Sequence, residues 1–264
     1  MSFWGRVAGR GLIVLFLVAF WYAATAATAQ ADAVVGNGTP ASCDGNALGA
    51  AIVQGGLITF NCGGAATIVA NTYVITQPVT LAGAGLITLD GENLRQLFLV
   101  LAQGQLALYD ITLSKGNFVN GGCIDLVTGG EATLRNVVVD GCVAETINGG
   151  AIRAGLGTTL TVEFGRFQNN RAKVTGGAIY NNGGTVVVRD TIFSSNRADG
   201  NGGAISQLGG SLTVERTLFT GNQAVQFGGA IHNGNGTATI INSTFSGNIA
   251  DRGGALYGAN NSTT

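Results

Sequence analysis

The chain has 264 residues, of which 44 are glycine and only 2 are proline, and its formal net charge is −1. The scarcity of proline and the lack of a Gly-x-y register exclude collagen, and the 46% of hydrophobic residues argues against a disordered chain. Only 10% of the residues are charged, and no basic patch with interleaved aromatic residues occurs, so we expect no nucleic-acid partner.

Residues 1–31 have the three-part composition of a secretory signal peptide. Arg6 and Arg10 precede an uncharged, apolar run over residues 11–29, and small residues suited to cleavage follow at 27–31. The run approaches the length that spans a membrane, so an uncleaved anchor helix is the alternative. In either case we expect the rest of the chain to be exported.

Residues 32–56 are predicted to form an N-terminal cap. The segment from Asp44 to Gln54 has the pattern of a short amphipathic helix, with Asp44 as its N-cap and Gly55-Gly56 as its stop. Its apolar face consists of Leu48, Ala51 and Ile52. A helix at this place would cover the open end of a stacked repeat, and such stacks need caps.

Four cysteines fit an exported chain. Cys43 and Cys62 flank the predicted helix, and we expect a disulfide between them. The pairing of Cys123 with Cys142 stays open, because these two cysteines occupy different phases of the repeat described below. With no Cys-x-x-Cys pair and a single histidine, we expect neither a metal nor a cofactor.

Residues 57–104 are predicted to form irregular coils that precede the regular ones. Glycine turns separate five strand-like segments, which are 57–60, 66–69, 79–81, 86–89 and 97–100.

From residue 105 onwards, two motifs recur with a nearly fixed period. Five copies of Gly-Gly-Ala-Ile or Gly-Gly-Ala-Leu begin at residues 149, 176, 202, 228 and 253. Four copies of Phe-x-x-Asn run in phase with them at intervals of 26 residues: Phe167/Asn170, Phe193/Asn196, Phe219/Asn222 and Phe245/Asn248. A period of this length is typical of a stacked-repeat architecture.

Each of the six units opens with a strand of alternating character. The units begin at residues 105, 131, 159, 185, 211 and 237, and the second and fourth positions of all six are apolar. Such a period of two indicates a half-buried strand, and the glycine doublets would break helices. We therefore predict an all-β fold, a right-handed single-stranded parallel β-helix over residues 57–264, with coils stacked about 4.8 Å apart and the short N-terminal capping helix.

The two motifs receive structural roles in this fold. We expect the four phenylalanines to stack in one interior column and the four asparagines to bond backbone groups at a corner. Outside, Arg135, Glu163, Arg189 and Glu215 share one position of successive units, and their alternating charges predict an ion-pair ladder on a solvent face. Asp190 and Arg216 repeat this pattern one position further on.

A second outward column contains the single histidine. His232 shares its phase with Arg153, Tyr180, Ser206 and Tyr257. We expect Tyr180, His232 and Tyr257 to offer a surface that contacts a sugar face or a protein partner. The amides expected beside them are Asn181, Asn182, Gln207 and Asn233. The alternative is an ordinary solvated strand surface.

The phased pairing of Gly-Gly-Ala-(Ile/Leu/Val) with Phe-x-x-Asn resembles the repeats of the chlamydial polymorphic outer-membrane proteins and of other bacterial secreted right-handed β-helix proteins that carry them. The resemblance covers about residues 105–264 and, more weakly, 57–104. It implies the exported passenger of an autotransporter, acting in adhesion at the cell surface. It implies no catalytic residues, and only the structural motif carries over to this chain.

Two functions remain open at this point. The first is a non-catalytic adhesion or scaffold protein, secreted or held at the cell surface or outer membrane, whose partners are glycans or proteins of host or neighbouring cells. The alternative is a secreted polysaccharide lyase or hydrolase with an atypical site. Two or three acids with Arg or Lys on one exposed sheet would favour the enzyme, and we expect no such cluster. Membrane attachment would need the N-terminal segment or a C-terminal module beyond Thr264, where no cap is visible.

Overall fold

The computed structural model describes residues 32–259, and this part of the chain is all-β. Its strands stack as a parallel solenoid of about nine turns, and helix makes up 6%. The predicted parallel β-helix is therefore confirmed. The predicted signal peptide, residues 1–31, lies outside the described residues.

The N-terminal half contains nine strands and one α-helix. Helix α1 spans Gly45–Gln54. The strands are β1 Ala33–Val35, β2 Gly56–Phe60, β3 Ala66–Val69, β4 Tyr73–Ile75, β5 Pro78–Asp90, β6 Phe98–Val100, β7 Gln105–Ser114, β8 Asn117–Phe118 and β9 Ile124–Leu126. The segments predicted at 79–81 and 86–89 belong to one strand, β5, in which Ala84 and Gly85 turn the chain with positive φ.

The remaining strands repeat the pattern of β7 to β9. They are β10 Glu131–Arg135, β11 Val138–Asp140, β12 Val143–Ala144, β13 Ile152–Ala154, β14 Thr159–Glu163, β15 Arg166–Gln168, β16 Arg171–Ala172, β17 Ile179–Arg189, β18 Ile192–Ser194, β19 Arg197–Ala198, β20 Ile205–Glu215, β21 Leu218–Thr220, β22 Gln223–Ala224, β23 Ile231–Asn233, β24 Thr237–Ile241, β25 Thr244–Ser246 and β26 Leu256–Gly258. All strand pairs are parallel, and a small separate sheet contains the two-residue strands β8, β12, β16, β19 and β22.

The N-terminal cap forms as predicted, with one addition. The Asp44 carboxylate accepts hydrogen bonds from the N–H groups of Asn46 and Ala47, both at 2.8 Å, and Gly55, with a φ of 75°, caps the C-terminal end of α1. The expected face of α1, Leu48, Ala51 and Ile52, is buried. Strand β1, which the sequence did not indicate, pairs with β2 and extends the sheet beneath the cap.

Three corners turn each regular coil, and each corner contains one residue with positive φ. In the coil that begins at residue 185, these are Asp190, Ser195 and Gly202, and Gly210, also with positive φ, makes a further bend before the next coil. Only the third corner always has glycine, because a Cβ on Gly202 would overlap the carbonyl oxygen of Ile205. The next residue, Gly203, is required for another reason: its Cβ would overlap the carbonyl oxygen of Gly229 in the following coil.

The interior contains the two predicted columns. The rings of Phe167, Phe193, Phe219 and Phe245 stack with centroid separations of 5.0, 5.0 and 4.9 Å. Beside them, the amide nitrogen of Asn196 donates to the Phe167 carbonyl and to Asn222 Oδ1, both at 2.9 Å. Asn170 and Asn222 follow the same pattern, so each of these three buried amides joins three successive coils, and Asn248 donates to the Phe219 carbonyl at 2.9 Å.

Both cysteine pairs form disulfides. Cys43 and Cys62, as expected, join the cap to the first coil, and Cys123 pairs with Cys142, with Cα–Cα distances of 5.7 Å in each case. The sequence left the Cys123–Cys142 pairing open, because the two residues occupy different positions of the repeat. The disulfide is possible because these cysteines belong to neighbouring coils. Cys123 aligns with the motif alanines, and Cys142 aligns with the asparagine column.

Candidate functional site

The candidate site is the outward column on the strands that follow the glycine corners. We call it the outer column, and it consists of Asp125, Arg153, Tyr180, Ser206, His232 and Tyr257. Parallel pairing of β9, β13, β17, β20, β23 and β26 places these residues in direct register. The predicted alignment of the outer column with the motif is confirmed. Each outer-column residue follows an Ile or Leu whose side chain is buried in every coil except the last, where Leu256 is 40% exposed.

An ion pair forms the first part of the outer column. The Arg153 guanidinium donates to both carboxylate oxygens of Asp125, with Nε–Oδ1 at 2.6 Å and Nη2–Oδ2 at 3.1 Å. Burial raises the pKa of Asp125, while the guanidinium opposes this effect. Because each group satisfies the other, the pair stabilises the join between two coils and leaves no free charge there.

Tyr180 contributes less surface than its sequence position predicts. Its side chain is only 8% exposed, and burial raises the pKa of its hydroxyl against the opposing charge of Arg153. His232 and Tyr257 are half-buried. The structure therefore brings two of the three expected contact residues together at the surface and covers the third.

The expectation that the neighbouring amides flank this surface is wrong for three of the four. Asn181, Gln207 and Asn233 are 0%, 0% and 1% exposed, because a residue that follows an outward side chain points inward along a strand. Only Asn182 is exposed. The buried amides form a second interior ladder that bonds the next turn: Asn181 Oδ1, for example, accepts from the Gly184 N–H at 2.8 Å.

An aromatic cluster gives the outer column its most accessible surface. We call it the aromatic patch, and it consists of Phe227, His232, Tyr257 and Arg252. The ring centroids of Phe227 and Tyr257 lie 4.5 Å apart, and those of His232 and Tyr257 lie 5.8 Å apart. The Arg252 guanidinium lies 5.8 Å from the Phe227 centroid. Sequence reasoning missed Phe227, since it occupies a turn position where other units have Asn148, Thr175 or Asn201.

Ser206 and His232 lie within hydrogen-bonding distance across two coils, with Oγ and Nδ1 separated by 3.3 Å. Burial lowers the pKa of His232, and no neighbouring carboxylate in the described chain opposes this shift. Ser206 is only 2% exposed. A nucleophilic serine needs an accessible hydroxyl and a base that a third group orients. The geometry instead suits a hydrogen bond that positions the imidazole ring.

The predicted ion-pair ladder is present on the sheet that contains β10, β14, β17 and β20. Glu163 pairs with Arg135 at 3.5 Å and with Arg189 at 3.8 Å, and Arg189 also pairs with Glu215 at 3.2 Å. Asp190 and Arg216 form their own pair at 2.8 Å. The expectation that no exposed sheet combines several acids with arginine is therefore wrong. These acids are engaged with guanidinium groups, as the ladder prediction requires.

Residues 32–259 contain neither a candidate metal site nor a candidate membrane-spanning helix. Between residues 32 and 259, no three His, Cys, Asp or Glu side chains approach closely enough to hold a metal ion. Within the same range, no helix is both long and apolar enough to cross a membrane.

Asp199 forms ion pairs with three basic side chains, Arg171 at 2.6 Å, Arg197 at 3.2 Å and Lys173 at 3.7 Å.

Comparison with known proteins identifies the repeat. The model of the Chlamydia polymorphic membrane protein repeat matches the chain four times, at residues 166–182, 190–207, 216–234 and 242–259. No curated protein and no solved structure matches the chain. The four matches and the parallel solenoid confirm the resemblance, so this chain carries polymorphic membrane protein repeats on a β-helix.

The matches begin only at residue 166, and the structure gives the reason. Two earlier coils have Leu113 and Val139 in the column that phenylalanine occupies later. In the second of these coils, Cys142 stands in the asparagine column, and in the first, Cys123 replaces the motif alanine. The earlier coils therefore share the backbone path of the repeat but not its side-chain signature.

Proposed function

We propose that this protein is an exported β-helix scaffold that acts in adhesion at the cell surface, with the aromatic patch as its contact surface and without a catalytic role. The observation that carries the proposal is the stacking of Phe227, His232 and Tyr257 on the outside of a rigid solenoid. The repeat family supports a surface or outer-membrane location, and the signal-like residues 1–31 support export.

The chemistry of the aromatic patch suits a contact surface. Aromatic residues and arginine are enriched at the energetic centres of protein interfaces, where they supply large rigid areas at low entropic cost. The faces of Phe227 and Tyr257 also match the apolar faces of sugar rings. Leu208 on β20 is 48% exposed and, like His232, lies beside Gly234, so it extends the patch. The partners that we propose for the aromatic patch are therefore glycans or proteins of neighbouring or host cells.

Two observations support a non-catalytic role. The acids of the ion-pair ladder and Asp125 are paired with arginines, so each carboxylate already has a partner within the protein. The Ser206 hydroxyl is covered. A polysaccharide lyase or hydrolase needs accessible groups on both sides of a bound glycosidic linkage.

The test measures binding of the purified protein to intact cells and to an immobilised glycan panel. The double variant Phe227→Ala/Tyr257→Ala removes both rings, and we expect it to lose at least about tenfold in affinity, since tenfold corresponds to about 1.4 kcal/mol. Phe118→Ala is the matched control, because Phe118 is an aromatic side chain 49% exposed on the separate five-stranded sheet. Equal binding by all three proteins, or turnover of acidic polysaccharides, would contradict the proposal.

A further inference from the structure

A second outward face of the solenoid carries a regular array of hydroxyl groups. We call it the hydroxyl array, and its first column consists of Thr159, Thr185, Ser211 and Thr237. Its second column, two residues further along the same strands, consists of Thr161, Val187, Thr213 and Thr239. Seven of these eight side chains carry a hydroxyl, and none is charged or aromatic.

The side chains of the array are in register from strand to strand, and they repeat both across the strands and along them. The paired segments 159–163, 185–189, 211–215 and 237–241 contain no bulge, and the register shifts of β17–β20 lie earlier, between Asn181 and Thr185. Parallel strands lie about 4.8 Å apart, and alternate residues along a strand lie about 6.7 Å apart. Threonine and valine are stiff at χ1, so their methyl and hydroxyl groups hold fixed directions. One hydrogen bond runs within the first column, from Ser211 Oγ to Thr185 Oγ1 at 3.4 Å.

The preference of threonine for strands does not account for this uniformity. The strands β11, β15, β18, β21 and β25 form the next face of the same coils, and they have the same need for residues that favour strands. Over the same four coils, their outward positions are mixed: Arg166, Gln168, Ile192, Ser194, Leu218, Thr220, Thr244 and Ser246. In these four coils, hydroxyl groups therefore fill seven of eight outward positions on one face and four of eight on its neighbour, and the first column ends at Glu131 in the preceding coil.

The chemistry of the array restricts its ligand. A repeating flat surface without charge is complementary to a repeating ligand that is itself uncharged. A crystalline polysaccharide is normally met by aromatic rings, and the array has none. The oxygen lattice of hexagonal ice repeats at close to the rung spacing of a parallel sheet, and water bridges hydroxyl groups at little energetic cost.

We propose that the hydroxyl array binds ice, by holding a layer of water that is continuous with the crystal. The column of Glu163, Arg189 and Glu215 borders the array on one side, and its internal ion pairs neutralise much of the charge there. The array shares no residue with the aromatic patch, and on β17 the register shift between Asn181 and Thr185 separates the array from the outer-column residue Tyr180. The two proposals are therefore independent, and either can fail alone.

The experiment compares thermal hysteresis and inhibition of ice recrystallisation for the purified protein and two variants. Thr213→Tyr places a bulky ring in the middle of the array. Thr220→Tyr is the matched control, since Thr220 points outward from the same coil at similar exposure but on the neighbouring face. Circular dichroism melting shows whether both variants keep the fold.

We expect the wild-type protein and Thr220→Tyr to separate the freezing and melting points and to restrain crystal growth, and Thr213→Tyr to lose both effects. Three outcomes would overturn the proposal. One is wild-type protein with neither effect. Another is Thr213→Tyr with undiminished activity. The third is retention of the protein on crystalline cellulose or chitin without any effect on ice, which would assign the array to a polysaccharide surface.

Discussion

Cys142 occupies the position in its coil that Asn170 occupies in the next, and the Cys142 N–H donates to Asn170 Oδ1 at 2.9 Å. Further along, the Asn170 N–H donates to Asn196 Oδ1 at 3.1 Å in the same way. The asparagine ladder and the Cys123–Cys142 disulfide therefore meet end to end. A covalent bond joins neighbouring coils at the point where the column of amides ends.

This relationship predicts that asparagine can partly replace the disulfide. The variant Cys123→Ala/Cys142→Ala should lose about 2–4 kcal/mol of unfolding free energy. Cys123→Ala/Cys142→Asn should lose less, because the new amide can donate to the Leu113 carbonyl and to Asn170 Oδ1, each bond contributing about 1 kcal/mol. Urea denaturation under oxidising conditions measures the difference. Equal urea midpoints for the two variants would show that an asparagine at position 142 does not stabilise the contact between the two coils.

A second prediction concerns the ladder itself. Asn196→Ala leaves the Phe167 carbonyl and the Asn170 N–H without their buried partner, and unsatisfied groups of this kind cost about 1–3 kcal/mol each. Asn248→Ala should cost less, because Asn248 is only half-buried and donates to the Phe219 carbonyl, whereas Asn196 donates both to a carbonyl and to the next asparagine. Asn182→Ala, at an exposed position, should change the urea midpoint little. Equal losses for Asn196→Ala and Asn248→Ala would mean that the amides act separately and not as a column.

The regular coils could be predicted because each one contributes the same side chain to the same column. The spacing of Phe167 and Phe193 in the sequence becomes a ring separation of 5.0 Å in the structure. Asp44 likewise begins α1 as its sequence indicates. Strand β1 could not be predicted, because three residues carry too little periodicity and only their pairing with β2 makes them a strand.

The candidate site could be predicted only in part. Alternation along the strand does reveal that Asn181 points inward once Tyr180 is placed outside, so this signal was present in the sequence. The burial of Tyr180 and the position of Phe227 depend on the turns at the glycine corners, whose residues differ from coil to coil. Tertiary contacts of these variable turns decide which outer side chains reach the solvent.

A third prediction separates the stacking constraint on the second motif glycine from its backbone conformation. Gly203→Ala would drive a methyl group into the Gly229 carbonyl of the next coil, and we expect a loss of about 1–3 kcal/mol. In Gly254→Ala, the nearest atom to the new Cβ is the Asn248 carbonyl oxygen at 3.2 Å, so the loss should be smaller. Neither glycine has a positive φ, which makes the pair a matched comparison. Thermal melts of both variants provide the measurement, and similar melting temperatures would refute the stacking explanation.

The fourth prediction is that acidification weakens the fold through His232. Burial lowers the pKa of its imidazole below the ordinary value of 6.5. The unfolded chain therefore takes up a proton at a higher pH than the folded chain does. It follows that the free energy of unfolding falls as the pH drops below 6.5 and continues to fall down to the folded pKa. Above that window the imidazole is neutral in both states, and its contribution is constant.

His232→Gln isolates this effect, because glutamine is polar and does not titrate. Urea midpoints at about pH 7.5 and about pH 5.5 bracket the ordinary histidine pKa, and the wild-type midpoint should fall further between them than that of the variant. Asp125 acts in the opposite direction, because burial raises its pKa and its folded carboxyl takes up a proton first as the pH falls. Both proteins contain Asp125, so the difference between them reports His232 alone. Parallel pH profiles would show that the imidazole titrates alike in the folded and unfolded chains.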